Sequence, residues 1–365
     1  MKKHLWAILF SVCLTAYTVF ISLDTFVIPS AYQTETTEMN LSLFEGQTNA
    51  SDDSASDTGS AKQNNGDSGE ETNRSRRERS TQGTQDTQGT RNTQKAQKTQ
   101  ETKNKQETQD TQETQNSLEI QDTQEEFDSW NAQELAGYQD QNIDISLTEY
   151  TVRDTAVYVA DVTLSSAQYL KTAFAKDTYG KNVTAKTSAI ASENSAILAI
   201  NGDYYGAQEK GYVIRNGIVY RDKAAGADVL CIYADGSMKI VNPADVTAQE
   251  LLDEDVWQAF SFGPALVENS EIAVSQNAEV GKAMASNPRT AIGIIDELHY
   301  LFVVSDGRTS ESEGLSLYEL AEFMKQLGVT VAYNLDGGGS TNLYVDGTMV
   351  ASGRNVKNAI CFVAE

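Results

Sequence analysis

The chain has 365 residues, a hydrophobic fraction of 39% and a formal net charge of −24. That length allows two or three domains, but so polar a chain cannot pack throughout. Nucleic acid is excluded as an expected partner, because a phosphate backbone calls for clustered Lys and Arg. Only two histidines are present, His4 and His299, which excludes mechanisms that need several.

Residues 5–23 (LWAILFSVCLTAYTVFISL) are uncharged and follow Lys2 and Lys3. At 1.5 Å per residue such a helix is roughly 28 Å long, close to the hydrocarbon core of a bilayer. Flanking lysines keep the N-terminus in the cytoplasm. Residues 1–24 are therefore expected to be a single-pass cell-membrane anchor, with the C-terminal part extracellular. A cleaved signal peptide, giving a secreted protein, is the alternative.

Residues 25–125 are expected to be a disordered Thr/Gln-rich linker. From 46 to 125 there is no Phe, Tyr, Trp, Val or Met, and a Thr-Gln-x repeat runs from Thr81 to Asn116. Such a segment cannot bury enough apolar surface to offset its backbone entropy. A period of three matches neither helix nor strand. As a flexible coil, the segment would reach roughly 50 Å and lift the C-terminal part away from the membrane.

Residues 126–365 carry 16 basic and 33 acidic side chains, net −17, so most of the acidity belongs to the expected folded part. Turn dipeptides between apolar runs predict hairpins at Asn216-Gly217, Asp235-Gly236 and Asp346-Gly347, and a longer one at Asp296-Glu297. The clearest helix covers 317–327: Ser316 and Glu319 form a capping box, Leu317, Leu320, Met324 and Leu327 make one apolar stripe, and Gly328 ends it. Weaker helices are expected at 167–174, 188–193 and 248–252, and a buried strand at 329–335. The fold class is α+β (mixed α/β): a single globular domain with a mixed, largely antiparallel sheet, hairpins and a few packed helices. Cys231 and Cys361 sit in apolar, strand-like runs and are expected to be buried free thiols.

Three turns carry more polar and glycine content than a hairpin needs. The first is Asn201-Gly202-Asp203-Tyr204-Tyr205-Gly206, at the end of an apolar run, where α/β sheets commonly place sites. In the second, Arg289 opens a strand and Asp306 closes its expected partner, followed by Gly307-Arg308. The third is Asn334-Leu335-Asp336-Gly337-Gly338-Gly339-Ser340-Thr341, whose consecutive glycines suit a backbone nest for an anion. None contains histidine or cysteine, which excludes a Ser-His-Asp machine and a His/Cys zinc site. Carboxylate chemistry remains. A metal is unknown from the sequence, which leaves room for a divalent cation (Ca or Mg) with oxygen ligands.

These turns, with Phe262-Gly263-Pro264, Pro288-Arg289-Thr290 and Arg354-Asn355-Val356-Lys357-Asn358-Ala359, resemble the phosphodiester glycosidase family over residues 196–363. The resemblance implies hydrolysis of an α-glycosyl phosphodiester, such as an N-acetylglucosamine-1-phosphodiester, in cell-envelope or exopolysaccharide glycans. On that basis the expected catalytic residues are Asp336, Asp306 and Arg289. Asn201, Gly202, Asp203, Tyr205, Asn334, Gly337, Gly338, Gly339, Ser340 and Arg354 would bind substrate. Animal members read Asn-Gly-Gly-Phe-Phe in the first motif, so Asp203 stands where they have glycine. The alternative is a non-catalytic glycan-binding or assembly protein on the same fold.

Overall fold

A computed structural model describes residues 2–32, 39–44, 130–279 and 286–363. Helix α1 covers Lys2–Phe26. Its described side chains, from Ile8 to Asp24, are exposed on every side. Among the described residues no helix is long and apolar enough to cross a membrane.

Not all of 25–125 behaves as linker. Ser30–Ala31 pairs with Gly180–Lys181, and Phe44 packs edge-on against Trp257 at 5.0 Å between ring centroids. Both Phe44 and Trp257 are buried, so apolar side chains at 30–44 have found partners in the folded unit. The Thr-Gln repeat lies outside the described residues.

Two sheets pack face to face. The larger runs in the order Glu271–Ile272, Ala265–Glu268, Val331–Asn334, Arg289–Asp296, His299–Ser305, Thr155–Leu164, Ile143–Val152 and Asn131–Gln139. The second runs Thr348–Ala351, Leu343–Val345, Ala196–Asn201, Asn358–Val363 and Leu170–Phe174. Ile145, Val162, Phe302, Ile200 and Phe362 meet in one buried cluster between them. Phe302 and Phe362 touch edge to face, 4.6 Å between centroids. Alternation along each strand sends one side chain set inward, and the other set must be covered too. Helix α2 (Thr187–Glu193) places Ile190 and Ala191 against Ala199 and Cys361 on the outer face of the second sheet. A third sheet contains the Asn216-Gly217 and Asp235-Gly236 hairpins and is backed by α3 (Ala248–Asp253), whose Leu251 packs beside Cys231. Helix α4 (Leu317–Gln326) places Leu317, Leu320, Phe323 and Met324 on the outer face of the large sheet. Among the described residues every strand pairing in these sheets is antiparallel.

The capping box of α4 is present, with Ser316 Oγ accepting from the Glu319 amide and the Glu319 carboxylate accepting from the Ser316 amide. The Asn216-Gly217 and Asp346-Gly347 turns have positive φ at both residues, as a type I′ hairpin requires. Cys231 and Cys361 are free and buried. Residues 167–174 are not a helix. Ala167–Tyr169 makes a single 3-10 turn, and Leu170–Phe174 is the edge strand of the second sheet, paired with Asn358–Val363. A short apolar run does not distinguish the two by periodicity, and here sheet pairing prevails.

Candidate functional site

One end of the two facing sheets carries a polar cleft of about 360 Å³. Strand Ala196–Asn201 delivers Asn201, Gly202, Asp203 and Tyr204 to it. The loop after Val331–Asn334 delivers Asp336 and Ser340, and the segment entering Asn358–Val363 delivers Arg354, Asn355, Val356 and Lys357. Val27, Asn182 and Thr184 complete the wall. Ala359 lies opposite Asn201 in the sheet, so the first and last motifs are neighbours because their strands pair.

Asn201 joins the two sheets at this end. Its Oδ1 accepts from Thr290 Oγ1 of the large sheet at 2.9 Å and from the Asn342 amide at 3.0 Å. Its Nδ2 donates to the Asp336 carbonyl at 2.5 Å. It is 1% exposed, so it fixes the loop that carries Asp336. Gly202 is required by close approach: a Cβ there would lie 2.3 Å from Asn358 Oδ1.

Asp336 is the cleft carboxylate whose environment suits chemistry. Burial pushes its pKa above the ordinary value, against the opposing effects of a Ser340 hydroxyl bond, the Arg354 charge and the Gly337 amide. Arg354 Nη2 lies 3.8 Å from Asp336 Oδ2, and Arg354 Nε donates to Ser340 Oγ at 2.9 Å. Lys357 is the second cation of the cleft. Its pKa is lowered by burial and by Arg354, while Asp336 acts the other way. Tyr204 lies beside both cations, its ring centre 5.7 Å from the Arg354 guanidinium carbon and 5.3 Å from Lys357 Nζ.

Other expected site residues have different roles. The Asp203 carboxylate is taken by Arg215 at 2.7 Å, both side chains being 1% exposed, and by Asn358 Nδ2 at 3.0 Å. Arg215 also stacks over Phe260 at 4.2 Å. Asp203 thus borders the cleft as half of a buried ion pair, which fits neither a free substrate ligand nor a cation ligand. Among the described residues no three His, Cys, Asp or Glu side chains gather to hold a metal ion.

The glycine loop is not an open nest. The Gly338 amide donates to the Pro288 carbonyl at 2.7 Å, Ser340 N–H to the Gly337 carbonyl at 3.0 Å, and the Gly339 carbonyl accepts from Arg354 N–H at 2.7 Å. Gly337 answers to packing, since a Cβ there would lie 2.9 Å from the Pro288 carbonyl oxygen, and Gly338 to a positive φ of 57°. Neither Gly337, Gly338 nor Gly339 lines the cleft.

Tyr205 is fully buried and stacks on Tyr179 at 5.0 Å, so it belongs to the core. Asn334 is also buried and donates to the Gly263 carbonyl at 2.8 Å. Arg289 pairs in register one step before Asp306, as expected, through Arg289↔Ser305. Arg289 is buried, its Nε donating to the Leu315 carbonyl at 2.9 Å. Burial, then Arg308, lower its pKa to about 10. Asp306 is raised by burial and adds to the raised pKa of Tyr158. None of Asn334, Arg289 and Asp306 is among the cleft-lining residues.

Lys357 stood within a recognised motif without a role, and its place in the cleft identifies it. Tyr204, whose ring could stack on a sugar, lies in the same cleft. Nothing in the sequence pointed to Val27, Asn182 or Thr184.

Two facing antiparallel sheets with a carboxylate, two cations and an aromatic ring gathered at one end define a domain suited to an anionic, sugar-like ligand. Residues 194–363 match the family model described as phosphodiester glycosidase. The chain is 28% identical over 168 residues to the SPbeta prophage-derived uncharacterized protein YomE of Bacillus subtilis (strain 168), covering 44% of this chain and 26% of that protein. It is 32% identical over 117 residues to the Mus musculus N-acetylglucosamine-1-phosphodiester alpha-N-acetylglucosaminidase, covering 31% of this chain and 22% of the enzyme. The match therefore spans about a quarter of the length of these curated relatives. The zebrafish catalytic domain of that enzyme, auto-inhibited by its pro-peptide, is similar in fold. It superposes with a TM-score of 0.50 at 20% identity, over 65% of this chain and 88% of that one.

Proposed function

We propose that the protein is an exported, membrane-anchored glycoside hydrolase that cleaves an α-glycosyl phosphodiester in cell-envelope or exopolysaccharide glycans. The observation that carries this reading is Asp336, a partly buried carboxylate lining the cleft together with Arg354 and Lys357. In an acidic chain of net −24, these two cations offset repulsion of an anionic substrate locally, where it matters most.

The chemistry follows from the leaving group. The bond from sugar C1 to the phosphate oxygen breaks, and the oxygen of a water molecule bonds to C1. A phosphomonoester departs with the electron pair. Its second pKa is about 6, so it leaves with little help from a general acid. One carboxylate therefore suffices: Asp336 stabilises the positive charge at C1 and takes the proton of the attacking water. Arg354 and Lys357 hold the phosphate as its charge grows. Tyr204, 37% exposed, offers its ring to the sugar.

The proposed anchor is the uncharged run 5–23 read from the sequence, although among the described residues no helix is long and apolar enough to cross a membrane. The side chains it exposes include Leu9, Phe10, Val12, Val19 and Phe20. A helix apolar all round is suited to lipid. The test is sugar release by the full chain from N-acetylglucosaminyl phosphodiesters, including UDP-N-acetylglucosamine. Release that depends on Asp336 supports the reading, and binding without release favours a glycan-binding protein.

A further inference from the structure

The end of α1 is fastened to the wall of the cleft. Asn182, a cleft-lining residue, donates through Nδ2 to the Ile28 carbonyl at 3.1 Å and to the Asp24 carbonyl at 3.3 Å. The neighbouring Lys181 lies 3.8 Å from the Asp24 carboxylate. Val27 itself lines the cleft, and Ser30–Ala31 continues as a strand beside Gly180–Lys181. Asp24 is the first charged residue after the apolar run 5–23, so it marks where the helix leaves lipid. The cleft wall is one hydrogen bond from that point.

The chain docks on the domain at Ser30–Ala31 and Phe44, and the link from helix to cleft is made by residues 24–31. Lys181, next in sequence to the cleft-lining Asn182, and Arg354 of the cleft are partly exposed and carry the charge that an anionic headgroup region favours.

The geometry points to a glycosyl phosphodiester carried on a membrane lipid as the substrate, met at the bilayer surface. This rests on the hydrolase and anchor readings above and narrows them. The sugar C1–O bond breaks, water supplies the hydroxyl to C1, and the lipid phosphomonoester stays in the bilayer. The proton of that water ends on the lipid phosphate or in solution.

The test uses the full chain in phosphatidylcholine vesicles. One probe is N-acetylglucosaminyl phosphate esterified to a polyprenol in the same vesicles, and the other is the same phosphate esterified to butanol in solution. Confinement to one surface predicts that the embedded ester is cleaved at least about tenfold faster at equal bulk concentration. Inserting about 12 Gly/Ser residues between Leu23 and Asp24, which keeps the docked segment 24–31 intact, gives a tether of roughly 20 Å. The insertion should lower cleavage of the embedded ester by at least about threefold through lost co-localisation and leave the butyl ester unchanged. Equal rates for the two esters, or no effect of the insertion, overturn the proposal. Failure to cleave either ester contradicts the hydrolase reading, and the placement is then decided by a second measurement. A dye on Lys186→Cys, two residues from Thr184, is placed in a Cys13→Ser background with nitroxide-headgroup lipids. Stronger quenching there than at Glu271→Cys, lost on insertion, supports the placement; equal quenching at both overturns it.

Discussion

Arg354 reaches Asp336 by two routes. Its Nη2 faces the carboxylate at 3.8 Å, and its Nε donates to Ser340 Oγ, whose hydroxyl in turn bonds the same carboxylate. The guanidinium thus both neutralises Asp336 and orients it. Without it, burial would act on the carboxylate less opposed.

The pH dependence follows from that balance. Burial raises the Asp336 pKa above the ordinary carboxylate value of about 3.9, so the acid limb of kcat/KM is expected above that value. Arg354→Met removes a cation that lowers it and should move the limb further up. The stability consequence has the opposite sense to a salt-bridged aspartate. The folded state binds the proton more tightly than the unfolded chain, so stability falls as pH rises from the unfolded to the folded pKa. Asp336→Asn should flatten that part of the stability profile. A pH–rate series and urea melts at several pH values check the two halves separately.

Lys357→Met removes the second cation of the cleft. It should raise KM for an anionic phosphodiester more than it lowers kcat, and the loss should shrink in high salt because the screened part of the attraction is already gone. Steady-state kinetics at two ionic strengths measure it.

The Asp203–Arg215 pair is expected to be structural. Asp203→Ala leaves a buried guanidinium unpaired and should cost about 3–5 kcal/mol. Asp203→Leu combined with Arg215→Met should recover most of that loss. Urea denaturation of the two variants tests this directly, and a catalytic Asp203 would instead show wild-type stability with lost turnover.

Tyr204 and Tyr205 separate in the same way. Tyr205→Ala empties a core position and should cost about 3–5 kcal/mol. Tyr204→Ala should change stability by no more than about 0.5 kcal/mol while raising KM. Thermal melts and initial rates on both variants distinguish a core ring from a ligand-facing one.

Local chemistry made much of the fold legible. The Ser316/Glu319 box, the Asn216-Gly217 and Asp346-Gly347 turns and the thiols at Cys231 and Cys361 are each decided by a few adjacent residues. What failed depended on long-range pairing. Leu170–Phe174 became a strand only because Asn358–Val363 lies beside it. In the site, Asn201, Ser340, Arg354 and Asp336 were recognisable from their motifs. The partners of Asp203 and of the glycine loop, Arg215 and the Pro288 carbonyl, were not legible because they are remote in sequence. The burial of Tyr205 was not legible either, because only packing says which residue of a turn faces the core. Asn182 carries no motif at all; its place in the wall depends on where 24–31 docks.

The central claim is that Asp336 performs the chemistry in this cleft. The most direct measurement is single-turnover release of sugar from an N-acetylglucosaminyl phosphodiester by the wild-type full chain and by Asp336→Asn, with both shown to be equally folded. Loss of about 10²–10⁴ in rate, the usual scale for removing a positioned acid–base group, is the predicted result. Release by Asp336→Asn at the wild-type rate would contradict the account.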